Sequence, residues 1–124
     1  MNQPILIVDD NPDVLEIMRL VLEVDGYQVM TALDGETALR CLREGAAPAL
    51  ILLDMMMPRM SGWEFLDEID RDTSFAAIPI VVLSGAGTAL SDVGHNCVVG
   101  HLDKPVERTA LLSTVRKCAP QARG

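Results

Sequence analysis

The chain has 124 residues, 49% of them hydrophobic, which suffices for one core and leaves no room for a second domain of ordinary size. Its formal net charge of −8 disfavours nucleic acid and anionic membrane as direct partners, since both need clustered Lys and Arg. Cys41, Cys97 and Cys118 cannot all pair within the chain and lack zinc spacing; there is no basic, apolar leader and no apolar run near the ~20 residues of a spanning helix, so reduced thiols in a cytoplasmic protein are expected.

Ile5-Leu6-Ile7-Val8 is a continuous apolar run, as suits a strand buried on both faces of a parallel sheet, and it ends in Asp9-Asp10. Asn11 and Pro12 read as an N-cap and first helical position. Val14, Leu15, Ile17, Met18, Val21 and Leu22 follow at helical spacing, and Gly26 stops that helix. Tyr27 to Ala32 alternates like a less buried strand. Asp34-Gly35 turns into a helix carrying Ala38, Leu39 and Leu42, ended by Gly45. Ala49 to Leu53 is a second fully buried strand, and it stops at Asp54.

Beyond Met55-Met56-Met57-Pro58, Ser61 and Glu64 have capping-box spacing, and Phe65, Leu66 and Ile69 give the next helix its apolar face. Ile78 to Leu83 is a further buried strand, ending at Ser84. Gly85 to Gly100 should hold a fourth helix, but Gly85, Gly87, Gly94, Ser91, Asp92 and Asn96 lower the propensity of that window. A short or mobile fourth helix is therefore expected. A last helix runs from about Val106 to Cys118, with Leu111, Leu112 and Val115 inward and Arg116 and Lys117 near its negative end.

These four strand signals, with a fifth strand that Lys104 follows, interleave with helices and predict one α/β domain over residues 1–124, built on a doubly wound parallel sheet. In such sheets ligands bind beyond the carboxyl ends of the strands, where Asp9, Asp10, Asp54, Ser84 and Lys104 all fall. The first and third strands are neighbours in this architecture, so three carboxylates converge. Unpaired they would repel one another; a hard divalent cation such as Mg²⁺ resolves the conflict. Lys104 offers a point charge and Ser84 a hydroxyl to phosphate oxygens. A carboxylate nucleophile, a metal, a cation and a hydroxyl are the parts of phosphoryl transfer. Singly, each residue reads as a helix cap, an exposed turn or a loop hydroxyl; their coincidence on one edge carries the functional reading. Met55, Met56, Met57 and Met60 read as loop and core packing, and His95 and His101 lack placed partners for a transition metal.

At these residues the sequence resembles the receiver domain of bacterial two-component response regulators, of the single-domain type. The matching pieces are Ile-Leu-Ile-Val-Asp9-Asp10-Asn11-Pro12, Leu-Leu-Asp54-Met-Met-Met-Pro58-Arg-Met-Ser-Gly62, Pro-Ile-Val-Val-Leu-Ser84-Gly and Asp103-Lys104-Pro105, and together they cover essentially the whole chain. The resemblance implies a flavodoxin-like five-stranded sheet of order 2-1-3-4-5. It implies that Asp54 accepts a phosphoryl group from the phosphohistidine of a sensor histidine kinase or phosphotransfer protein. Mg²⁺ would be held by Asp10, Asp54 and the backbone carbonyl of Met56, with Asp9 reaching it mainly through water. Ser84 and Lys104 would hold the phosphoryl oxygens, and the bond before Pro105 would be cis.

The same resemblance implies a phosphorylatable regulatory domain, not a turnover enzyme, which assists its own phosphorylation and dephosphorylation. Phosphorylation would pull Ser84 toward the new anion and change the surface around the fourth helix, fifth strand and fifth helix. The expected partners are the phosphodonor and a downstream protein target, with no direct nucleic acid and no membrane, in a monomer or weak homodimer. Three features depart from the family pattern. His101 stands at the switch position, three before Lys104, where an aromatic is usual. The fourth-helix window is Gly-rich. No effector domain follows, so output is expected through a protein contact or onward phosphotransfer. Two other classes compete: a receiver-like module that is never phosphorylated, and an enzyme of similar architecture. Against the enzyme, Asp54-Met55-Met56 lacks the Asp-x-Asp of haloacid-type hydrolases, and 3% aromatic content ill suits a flavin site.

Overall fold

Apolar runs become strands here because both faces of the sheet are covered. In a computed structural model, which describes residues 3–57, 60–75, 77–85 and 98–119, every residue of β1 (Ile5–Val8), β3 (Leu50–Asp54) and β4 (Ile80–Ser84) is buried. With β2 (Val29–Ala32) and β5 (Val98–Asp103) they form one parallel sheet of order β2-β1-β3-β4-β5. The described helices are α1 (Pro12–Val24), α2 (Gly35–Arg43), α3 (Gly62–Arg71) and α4 (Arg108–Cys118). This is the doubly wound, flavodoxin-like arrangement expected from the sequence.

Strand alternation sends successive side chains into two separate cores. Leu6, Val8, Ile51, Leu53, Ile80 and Val82 pack with residues of α2 and α3, among them Leu39, Phe65 and Leu66. Ile5, Ile7, Leu50, Leu52, Val81 and Leu83 pack with residues of α1 and α4, among them Leu15, Leu22 and Val115. Each such side chain contributes about 1.5–3 kcal/mol of burial. The same alternation, carried through the strand ends, sets which face the polar residues occupy.

Local chemistry fixes the element ends. Asn11 caps α1 by accepting the Asp13 and Val14 amides, ahead of Pro12 at the first helical position. Ser61 accepts the Glu64 amide at 3.2 Å while Glu64 accepts the Ser61 amide at 3.3 Å, completing the capping box. Gly62 follows Ser61 because space demands it: its amide donates to the Met55 carbonyl at 3.0 Å, and a Cβ there would lie 2.6 Å from Met55 Cα.

Several boundaries differ from the sequence reading. The strand expected from Tyr27 starts at Val29, because Gly26 (φ +97°) and Tyr27 donate back to Glu23 and Leu22 and close the end of α1. The strand expected from Ile78 starts at Ile80; Pro79 has no amide, and the Ile78 amide is spent on Phe75. The third strand is shifted by one and includes Asp54, which pairs with Leu83. The last helix starts at Arg108, after an extended Glu107, not at Val106. Of the expected fourth-helix window, residues 86–97 lie outside the described residues, and 98–100 belong to β5.

Candidate functional site

Ile7, Leu52 and Leu102 all face the core under α1 and α4. Two positions later on each chain come Asp9, Asp54 and Lys104, so one sheet face delivers all three to the carboxyl edge. Asp9 and Asp54 are buried there, and Asp10, one step out of phase with Asp9, is exposed. Carboxylate oxygens of Asp9, Asp10 and Asp54 lie within 4.8 Å of one another. They open onto a cleft of about 660 Å³ whose wall includes Val14, Ile17, Met56 and Pro105.

The buried carboxylates are each held twice. Asp9 Oδ1 accepts the Asn11 amide at 3.0 Å, and its Oδ2 accepts from Lys104 Nζ at 2.8 Å. Asp54 Oδ1 accepts the Met56 amide at 3.1 Å, and its Oδ2 lies 3.2 Å from the same ammonium. Burial pushes the Asp54 carboxyl above its ordinary range; the Met56 amide pulls the other way, neighbouring Asp9 adds to the rise, and Lys104 opposes it. A more basic carboxylate is the stronger nucleophile. Burial alone would lower Lys104, but its bond to Asp9 and the charges of Asp9 and Asp54 prevail and raise it.

Ser84 is on the other face. Val82, two residues earlier, packs under α2 and α3, and Ser84 pairs in register with Asp103 of β5. The Ser84 hydroxyl donates to Asp103 Oδ1 at 3.5 Å. The backbones of the two strand ends are tied by the Lys104 amide, which donates to the Ser84 carbonyl at 2.7 Å. His101 is an exposed residue of β5 opposite Val82, and the Lys104–Pro105 peptide is cis.

The structure thus brings Asp9, Asp10, Asp54 and Lys104 together, with the Met56 amide at Asp54 and Ser84 near by on a neighbouring strand end. Met55 and Met57 are buried and Met60 packs partly against the core, as expected, whereas Met56 is 63% exposed beside the cleft. Cys41 and Cys118 are free thiols; Cys97 and His95 lie outside the described residues. Sequence reasoning missed Asp103 as the partner of Ser84 and the Asn11 amide as the partner of Asp9. Only strand register reveals the first. The Asp-x-Asn spacing is a local turn signal that could have found the second.

Hard oxygens beside one ammonium could serve a hard cation and a phosphoryl group together. The response regulator receiver domain family matches residues 5–116, and the chain belongs to that family. It is 32% identical over 114 residues to the DNA-binding dual master transcriptional regulator RpaA of Synechocystis, covering 90% of this chain and 47% of that protein. It is 36% identical over 119 residues to the DNA-binding response regulator MtrA of Mycolicibacterium smegmatis, covering 94% of this chain and 50% of that one. The chain therefore spans about half the length of these curated relatives. The crystal structure of a response regulator receiver protein from Pseudomonas putida superposes with a TM-score of 0.86 at 32% identity, covering 94% of this chain and 98% of that one. Among the described residues, no helix is long and apolar enough to cross a membrane.

Proposed function

We propose that this receiver domain is a phosphoacceptor switch in which Asp54 takes a phosphoryl group from the phosphohistidine of a sensor histidine kinase or phosphotransfer protein. The observation that supports it most directly is the meeting of Asp9, Asp10 and Asp54 within 4.8 Å, with Lys104 bonded across two of them. Folding alone gives no reason to gather these charges. An Asp54 oxygen attacks phosphorus, the bond from phosphorus to imidazole nitrogen breaks, and its electron pair stays on the imidazole, which is reprotonated from solvent. Lys104 turns from Asp9 toward a phosphoryl oxygen, and Ser84 donates its hydroxyl to another.

Three hard carboxylates fit Mg²⁺, which Asp9, Asp10, Asp54 and the Met56 carbonyl would hold. Bound there, it would neutralise charge on the phosphoryl oxygens. We take residues 1–124 as one regulatory unit acting in the cytoplasm, whose output is a changed surface met by a downstream protein. Its net charge of −8 suits such a partner better than direct contact with nucleic acid.

Intact-mass spectrometry with acetyl phosphate and Mg²⁺ tests the reading. One phosphoryl adduct is expected on the wild type, none on Asp54→Asn, and none on either after chelation. A wild type that stays unmodified with Mg²⁺ present would sink it.

A further inference from the structure

Ser84 has one hydroxyl proton, and Asp103 Oδ1, 3.5 Å from the hydroxyl oxygen, is its acceptor. A hydroxyl donates one full hydrogen bond at a time, so it cannot serve Asp103 and a phosphoryl oxygen together. We propose that Asp103 is a positioning residue which latches the Ser84 hydroxyl on the unphosphorylated side of the switch, so that phosphorylation must win the proton from it. The inference rests on the reading that Ser84 engages the phosphoryl group.

Three features make Asp103 suited to this task. Ser84 is only 5% exposed, so its hydroxyl needs an acceptor within the protein, and its register partner across β4 and β5 supplies one. The Lys104 amide holds the Ser84 carbonyl at 2.7 Å, which fixes both strand ends and keeps the carboxylate in reach. Asp103 is itself exposed, so water takes over its charge when the hydroxyl leaves. At 3.5 Å the bond is long, hence a light latch that exchanges readily and does not lock the protein.

The latch also carries the state of the site outward. Alternation along β5 puts Asp103 on the same side as His101, two residues before it. Departure of the Ser84 hydroxyl leaves a bare carboxylate on that exposed side, near His101. The end of one strand thus governs two phosphate ligands: Lys104 on one face through Asp9 and Asp54, and Ser84 on the other through Asp103.

Calorimetric titration of the full chain with beryllofluoride, a phosphoryl mimic, under saturating Mg²⁺ tests the latch. Asp103→Ala is expected to bind the mimic about twofold more tightly than wild type, the low end of one net hydrogen bond for a contact this long. Asp103→Asn keeps an acceptor and should stay nearer to wild type. In a Ser84→Ala background, Asp103→Ala should change nothing. An unchanged affinity for Asp103→Ala overturns the proposal. So does an equal gain with and without the Ser84 hydroxyl, which would be through-space charge repulsion. A wild type that ignores beryllofluoride removes the phosphoacceptor reading itself, and the latch with it.

Discussion

The two faces of the sheet end in different chemistry. On the face under α1 and α4, Asp9 and Asp54 are buried and share one ammonium at 2.8 and 3.2 Å. On the face under α2 and α3, Ser84 meets an exposed Asp103 at 3.5 Å. The first arrangement gathers strong charges where burial weakens screening by water; the second is a single weak bond at the rim. The difference shows where this fold stores its tension and where it keeps a part free to move.

The largest break in that contrast should come from Lys104→Met. It leaves Asp9 buried without its cation, and we expect a loss of about 2–3 kcal/mol in urea unfolding without metal, less than for a fully enclosed pair because the Lys104 side chain is 27% exposed. Saturating Mg²⁺ should shrink the loss. The wild-type contribution has a defined pH window. The folded Lys104 pKa lies above its ordinary 10.5, so the stabilisation is complete below that value and disappears as pH rises through the folded pKa.

Gly62→Ala strikes the backbone that carries Asp54, since the new Cβ meets Met55 Cα at 2.6 Å and the Asp54 carbonyl at 3.0 Å. We expect a loss of about 2 kcal/mol from overpacking, read by thermal melting, together with weaker Mg²⁺ binding as the Asp54 loop shifts.

Asp54→Asn should act in the opposite direction. Burial raises the wild-type Asp54 pKa, so its ionised form costs stability at neutral pH, and that cost vanishes as pH falls below the ordinary 3.8. The variant should melt higher than wild type at neutral pH in chelator, with no advantage once the carboxylate is protonated. A lower melting point at neutral pH would contradict the view of a strained acidic face.

Ser84→Ala should be the mildest, within about 0.5 kcal/mol of wild type, because a long bond to an exposed acceptor contributes little to folding. Its effect belongs to phosphorylation instead. A large unfolding penalty would erase the contrast between the faces.

Much of this was legible in the chain. Continuous runs such as Ile5–Val8 announce two-sided burial, and Asp9, Asp10, Asp54 and Ser84 stand at the ends of such runs or just beyond, whereas Lys104 follows the more exposed β5. Asn11-Pro12 and Ser61-x-x-Glu64 announce caps with a local mechanism, and both are made as expected. Boundaries were less legible where a neighbouring element claimed the backbone first. Tyr27 has a strand-like side chain, but its amide closes α1.

The sequence by itself determined the two-sided strands, the capped helices and the presence of carboxylates at strand ends, because those follow from periodicity and near-neighbour hydrogen bonds. Only the tertiary structure decided which polar groups meet. Lys104 finds Asp9 across 95 positions and Ser84 finds Asp103 across 19, through strand order and register. A shift of one residue in that register would exchange the two faces, and no local preference encodes it.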